Sequence, residues 1–172
     1  MSKNRAAFFD RDGTLIHHVH YLNKLEQVKV LLPAVTLCKI LKDKGFKLFV
    51  VTNQSGVARG QFDETFVERT HALVTELFMA YDVHFEKFYV CPHHPIASGN
   101  LLYKKVCECR KPRPGMLFQA AQEFDIDLTK SLMFGDSSTD LEAGRLAGCA
   151  SFDIAAFLSL SHDECAKLLK DV

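Results

Sequence analysis

With 172 residues the chain has the size of one ordinary domain, 1–172, able to bury a core without staples. Lys plus Arg and Asp plus Glu balance at 21 each, so no charge surplus marks a nucleic-acid or anionic-membrane partner. The opening Met1-Ser-Lys-Asn-Arg5 lacks an apolar leader core, and no apolar run approaches the roughly 20 residues that span a bilayer. The expectation is a cytoplasmic protein, monomeric by default, with no membrane or nucleic-acid partner.

Ala6 to Phe9 is a short apolar run that reads as a buried strand, and it stops at Asp10-Arg11-Asp12-Gly13-Thr14. Two carboxylates where a buried strand ends are costly to desolvate. A divalent cation resolves that cost and would hold Asp10 close to a phosphate. Gly13 lets the chain turn, and Thr14 offers a hydroxyl and a backbone N–H. The plainer alternative is an Asp-rich turn that solvates a strand end. Ile16-His17-His18-Val19-His20-Tyr21 reads as a polar loop at the mouth of that site rather than as a metal centre.

Pro33 suits the first turn of a helix carrying Ala34, Leu37, Cys38 and Leu41, with Lys44-Gly45 as its stop. Phe46 to Val51 is a continuous apolar run of the kind covered on both faces of a parallel sheet, and it switches to Thr52-Asn53-Gln54-Ser55-Gly56. Asp63 caps the next helix, whose stripe is Phe66, Leu73, Val74, Leu77 and Tyr81, out to about Asp82. A strand from Phe85 to Val90 reaches Cys91-Pro-His93-His94-Pro95. A loop runs from Ile96 to Val106 into Cys107-Glu-Cys109-Arg110-Lys111-Pro112. Pro114 starts a helix with Leu117, Ala120, Ala121 and Phe124. Leu132 to Phe134 is a strand ending at Gly135-Asp136, Leu141 to Leu146 a helix, Cys149 to Ile154 a strand, and a final helix runs through Val172.

Strands alternating with helices predict one α/β, Rossmann-like, three-layer domain with about five parallel strands. Ligands in such sheets sit beyond the carboxyl ends of the strands. Asp10, Thr52, the Cys91 cluster and Asp136 all follow strands, so they are expected to converge.

Cys38, Cys149 and Cys165 stand singly and read as small core hydrophobes. Cys91-x-His93 and Cys107-x-Cys109, thirteen residues apart, instead offer four ligands suited to a tetrahedral Zn²⁺ site. His94 competes with His93 on spacing. Four protein ligands leave no open position, so this zinc would order a loop and do no chemistry. The alternative is free cysteines in a flexible loop.

Together these residues resemble the haloacid dehalogenase superfamily of phosphohydrolases. Phe-Phe-Asp10-x-Asp12-Gly-Thr14 resembles its first motif, Val-Val-Thr52-Asn53 its second, Arg110-Lys111-Pro112 its third and Gly135-Asp136-x-x-x-Asp140 its fourth. The match runs from Ala6 to about Ala150. The Cys/His loop and Thr52-Asn-Gln-Ser-Gly-Val-Ala-Arg-Gly60 resemble its zinc-loop branch, where the loop stands in for a cap domain. The resemblance implies Asp10 as nucleophile, Asp12 as acid and base, and Mg²⁺ held by Asp10, the Asp12 carbonyl and Asp136. It implies that Lys111 and Thr52 stabilise the transferring phosphoryl group, with Asn53, Gln54, Ser55, Arg110, His18 and Tyr21 binding substrate. Asp140 reads as an orienting residue or helix cap.

Members of that branch act on heptose bisphosphates or histidinol phosphate, and the length of the loop favours the first. The expected substrate is therefore a small phosphorylated sugar, the C7 phosphate of a heptose bisphosphate in lipopolysaccharide precursor synthesis. Histidinol phosphate and a catalytically idle zinc scaffold are the alternatives. The chain departs from the heptose pattern at His17 to Tyr21, where an acidic or Asn-rich Gly-Tyr-Val stretch is usual, and at Ser137, where a Lys often stands.

Overall fold

The computed structural model describes residues 3–161 together with 164, 165 and 167. Five strands form one parallel sheet: β1 (Arg5–Phe9), β2 (Phe46–Asn53), β3 (Lys87–Cys91), β4 (Leu132–Gly135) and β5 (Ala150–Asp153), in the order β3-β2-β1-β4-β5. The helices are α1 (Leu32–Asp43), α2 (Glu64–Met79), α3 (Gly115–Phe124), α4 (Ser138–Ala147) and the short α5 (Ile154–Leu158).

Strand side chains alternate between faces, and each face has its own core. On one, Ala7, Phe9, Leu48 and Val50 meet Leu37, Cys38 and Leu41 of α1, Val74 and Phe78 of α2, and Phe157 of α5. On the other, Ala6, Phe8, Phe49 and Val51 meet Met116, Leu117 and Ala120 of α3 and Ala143 and Ala147 of α4. That is the expected three-layer α/β domain. Phe8 pairs in register with Phe49 and stacks on it at 5.4 Å, which ties β1 to β2 through side chains as well as backbone.

Several boundaries move, each for a physical reason. The buried face of α2 is Val67, Thr70, Val74 and Phe78, so of the expected stripe Val74 is buried and Phe66 packs partly buried against the core. Tyr81 is exposed because α2 ends at Met79 and Asp82 reverses the chain with φ 62°. β3 starts at Lys87 because Phe85 leaves the strand to pack its ring against Phe78 at 5.1 Å. α4 begins at Ser138, three residues early, because Ser137 and Asp140 form a reciprocal capping box. Ile154 belongs to α5, capped by Asp153, and α5 ends at Leu158, so the helix expected through Val172 is interrupted at Ser159–Ser161; residues 162, 163, 166 and 168–172 of that expectation lie outside the described residues.

The other helix ends agree with the sequence. Asp63 accepts from the Phe66 N–H at 2.8 Å, and Pro33 stands in the first turn of α1. Cys38 and Cys149 are buried in the two cores and Cys165 packs against the first. Burial pushes the Cys149 thiol up to about 12, as befits an inert hydrophobe.

β1 lies at the centre of the sheet. From it the chain winds outward to β2 and β3, then returns to β4 and β5 on the other side. The crevice between β1 and β4 is therefore the switch point where α/β sheets bind ligands. Asp10 follows β1 and Asp136 follows β4. The Asp10 N–H donates to Phe134 O at 2.9 Å, which locks the two strand ends together.

Candidate active site

A cavity of about 370 Å³ opens at that switch point, walled by Asp10, Asp12, Lys111, Asp136 and Asp140 below and by His18, His20, Tyr21 and Phe62 above. Asp10 is only 9% exposed. Its Oδ1 accepts from Lys111 Nζ at 2.7 Å, and the same ammonium lies 2.6 Å from Asp140 Oδ1 and donates to Val51 O at 2.7 Å. Lys111 is 3% exposed, so all three of its donors are spent inside the protein.

Burial pushes the Asp10 carboxyl up to about 6; Lys111 opposes that, while Asp140 and Asp12 add to it. Burial also works against the Lys111 ammonium, but Asp10 and Asp140 outweigh it and hold its pKa above the usual lysine value. The pair is charged at neutral pH. Asp136 is exposed at the rim, and partial desolvation there, then the Asp140 charge, holds its carboxyl above the usual carboxylate range.

One oxygen each of Asp10, Asp136 and Asp140 lies within 4.8 Å of the others, a group able to hold a metal ion. Three carboxyls against one ammonium leave two negative charges, which fits a divalent cation better than any neutral occupant. Asp140 is the least available of the three. Its Oδ2 accepts from Ser137 N at 3.1 Å and Ser137 Oγ at 2.6 Å, while Oδ1 faces Lys111. It orients Lys111 and caps α4 at once. Gly13 adopts φ +82°, and a Cβ there would lie 2.0 Å from Asp136 Oδ2, so only glycine lets this carboxylate reach the cavity.

The Asp12 side chain stands apart from that cluster. Its Oδ2 accepts from Gln54 Nε2 at 2.8 Å and from Arg11 Nε at 3.1 Å. Gln54 also donates to Thr52 Oγ1 at 2.7 Å, which leaves the buried Thr52 hydroxyl its own hydrogen to give. Asn53 uses both ends of its amide on the backbone of Lys111, at 3.1 Å each, so its side chain positions the lysine. His18, Tyr21, Gln54 and Ser55 line the cavity. Arg110 stands outside the wall and donates from Nη1 to His93 O at 3.1 Å.

A second cluster forms where expected. Cys91, His93, Cys107 and Cys109 come within 4.8 Å of one another. The sulfurs of Cys91 and Cys107 are 3.5 Å apart and those of Cys107 and Cys109 3.3 Å, while His93 Nδ1 lies 3.4 Å from Cys109. A tetrahedron of about 2.3 Å Zn–S bonds has edges of roughly 3.8 Å, so the arrangement is already close to ligand geometry. Cys91, against the opposing effect of burial, and then Cys107 and His93 push the Cys109 thiol down to about 5, while the same contact with Cys109, then burial, pushes the Cys91 thiol up, so Cys109 is the sulfur favoured as thiolate. His94 is not in the cluster; its Nε2 meets Arg59 at 3.0 Å.

The haloacid dehalogenase-like hydrolase family model matches residues 17–148. The chain belongs to that family. It is 43% identical over 142 residues to D-glycero-beta-D-manno-heptose-1,7-bisphosphate 7-phosphatase of Haemophilus influenzae, covering 82% of this chain and 76% of the relative. It is 39% identical over 142 residues to the enzyme of that name in Escherichia coli, covering 83% and 74%. Among solved structures, D,D-heptose 1,7-bisphosphate phosphatase from B. bronchiseptica, complexed with magnesium and phosphate, aligns with TM-score 0.79 and 25% identity over 98% of this chain and 99% of that one. A HAD-like protein from Mesorhizobium loti aligns with TM-score 0.86 and 27% identity, over 98% and 87%.

Within this haloacid dehalogenase-like domain, three contributions escaped the sequence reading. The Lys111–Asp140 ion pair was legible in principle, since Ser137-x-x-Asp140 is a capping-box pattern that fixes the acid in the first turn of α4. Phe62 lines the cavity and covers Gly56, where a Cβ would lie 2.2 Å from its ring. Arg11 and His71, joined at 3.1 Å, carried no signal in the sequence, because sixty positions separate them.

Proposed function

We propose that this chain is an Mg²⁺-dependent phosphatase that hydrolyses the C7 phosphate of D-glycero-D-manno-heptose 1,7-bisphosphate through an aspartyl-phosphate, within a single domain in the cytoplasm. The observation that carries the phosphatase reading is the buried ammonium of Lys111 shared by Asp10 and Asp140 at the mouth of β1, beside Asp136. The names and the 43% identity of the first relative support the heptose substrate.

Asp10, the backbone carbonyl of Asp12 and Asp136 are the residues that would hold Mg²⁺, which when bound neutralises phosphate charge near the nucleophile. Lys111, fixed by Asp140 and Asn53, presents its positive charge beside Asp10, where the equatorial phosphate oxygens gather charge. The Asp10 carboxylate attacks phosphorus, the phosphorus–sugar oxygen bond breaks, and Asp12 gives the departing oxygen its proton. Asp12 then takes a proton from water, whose oxygen attacks phosphorus and frees Asp10 as inorganic phosphate leaves. Thr52, with its free hydroxyl hydrogen, and Ser55 bind the phosphoryl group. Arg110, His18 and Tyr21 bind the rest of the substrate. Cys91, His93, Cys107 and Cys109 hold Zn²⁺, whose task is to order the loop before Arg110 and Lys111.

Phosphate release from heptose 1,7-bisphosphate and from histidinol phosphate, with Mg²⁺ present, tests this reading. Turnover of the heptose compound that vanishes in Asp10→Asn supports it. A preference for histidinol phosphate above about tenfold, roughly 1.4 kcal/mol in transition-state binding, overturns the substrate. Wild type as inert as Asp10→Asn overturns the enzyme.

A further inference from the structure

Arg11 is 2% exposed and among the largest fully buried side chains. A guanidinium is costly to bury unless its donors are spent on well-placed partners. Here Nε and Nη2 both approach Asp12 Oδ2, at 3.1 and 2.9 Å, Nη2 also lies 3.2 Å from Oδ1, and Nη1 meets His71 Nε2 at 3.1 Å. Arginine can only donate, so His71 Nε2 accepts and the ring is neutral with its proton on Nδ1. The ring stacks on Phe88 at 4.6 Å and an interplanar angle of 27°, which fixes its plane. Burial, with Arg11 beside it, holds the His71 pKa down at about 3, so it remains an acceptor at any working pH.

We infer that Arg11, braced by His71, is the positioning residue that aims the Asp12 carboxyl at the leaving-group oxygen. The inference rests on the proposed acid–base role of Asp12. The two carboxylate oxygens are treated differently: Oδ2 takes both Gln54 at 2.8 Å and Arg11, whereas Oδ1 has only the long contact from Arg11 Nη2. Oδ1 is therefore the oxygen free to carry and pass the proton. The chain His71–Arg11–Asp12–Gln54–Thr52 ties α2 and the end of β2 to that single carboxyl. A carboxyl held by three donors has little freedom to turn, and misplacement by about 1 Å costs on the order of 10²-fold in rate.

The test uses the Mg²⁺-loaded enzyme on aryl phosphates running from 4-nitrophenyl to phenyl phosphate. Nitrophenolate departs without a proton, whereas phenolate gains from one, so a misaimed acid steepens the dependence on leaving group. Arg11→Met is expected to lose ~10-fold or more on phenyl phosphate and under ~3-fold on 4-nitrophenyl phosphate, with KM unchanged. His71→Phe keeps the ring on Phe88 without the acceptor and moves the same way by ~3-fold or more, while His71→Gln keeps an acceptor and stays within ~2-fold of wild type. Equal losses on both esters, or none, in Arg11→Met and His71→Phe overturn the inference. If Arg11→Met does not fold, the two His71 variants decide. Asp12→Asn separates the layers: a steep dependence there with none in the other variants sinks only the role of Arg11. A flat one in Asp12→Asn sinks the acid–base reading of Asp12.

Discussion

Asp140 holds Lys111 from below: its Oδ1 lies 2.6 Å from the ammonium, and both side chains are almost wholly buried. One carboxylate thereby fixes the group that faces the nucleophile 2.7 Å away, and its other oxygen anchors the start of α4. The lysine is shared, and removing either acid changes what the other one feels.

Lys111→Met is therefore expected to be worse than the loss of one charge. It leaves Asp10 and Asp140 facing each other in a buried site without a cation. Turnover should fall by ~10²-fold or more through lost transition-state stabilisation. Asp140→Asn leaves Lys111 with one acidic partner and weakens the cap, at about 3 kcal/mol of stability, the range for breaking a buried pair. Steady-state assays and urea melts of the two variants check this. Full activity in Lys111→Met would refute its placement.

The raised Asp10 pKa sets a pH dependence of stability. Between its unfolded value near 3.8 and its folded value of about 6, the native state binds more protons than the unfolded one. Stability of the metal-free protein should thus fall as pH rises through that window, by at most about 3 kcal/mol from this group. Asp10→Asn removes the proton but keeps an acceptor for Lys111. Its stability should match wild type near pH 4 and exceed it at pH 7.5. Denaturant melts at both pH values, with chelator present, give the comparison; parallel pH curves would refute it.

How much of this was legible follows the reach of each signal. Continuous apolar runs gave β1, β2 and β4, mixed runs between turn residues gave β3 and β5, and Pro33, Asp63 and Gly148 gave helix ends, because those cues are local. The stripe of α2 was misread because Leu73 and Leu77 are hydrophobic but only half buried, while Thr70, buried at 0%, bonds its own helix at Phe66 O. Asp10 and Asp136 were read as motif residues at strand ends, and Lys111 as a motif residue in the turn after the Cys/His loop. That Asn53 would clamp the Lys111 backbone, and that His71 would meet Arg11, depends on how α2 and the Arg110–Lys111 turn dock. No local pattern encodes that.

The Cys/His cluster makes a separable prediction. One zinc per chain is expected in protein purified without chelator, by elemental analysis. Cys109→Ser should lower that content and open residues 92–108 to protease, since their order depends on the metal. Activity should fall with it, because Arg110 and Lys111 follow Cys109 directly, and added Mg²⁺ should not restore it, being a poor thiolate partner. Zinc-free protein with a protected loop would refute the assignment.

Two glycines with positive φ separate backbone strain from site chemistry. Gly13 (φ +82°) and Gly148 (φ +92°) both adopt a conformation costing an L-residue roughly 1–2 kcal/mol. Alanine at Gly148 would meet nothing within 4 Å, so Gly148→Ala should lose about that much stability and keep its activity. Alanine at Gly13 would place its Cβ 2.0 Å from Asp136 Oδ2 and 2.6 Å from Asp136 Cγ. The carboxylate must then leave its place beside Asp10. Gly13→Ala should raise the Mg²⁺ concentration for half-maximal activity by ~10-fold or more, on top of a stability loss like that of Gly148→Ala. Mg²⁺ titrations of activity and thermal melts on both variants measure the two effects apart. An unchanged Mg²⁺ requirement in folded Gly13→Ala would remove Asp136 from the metal site.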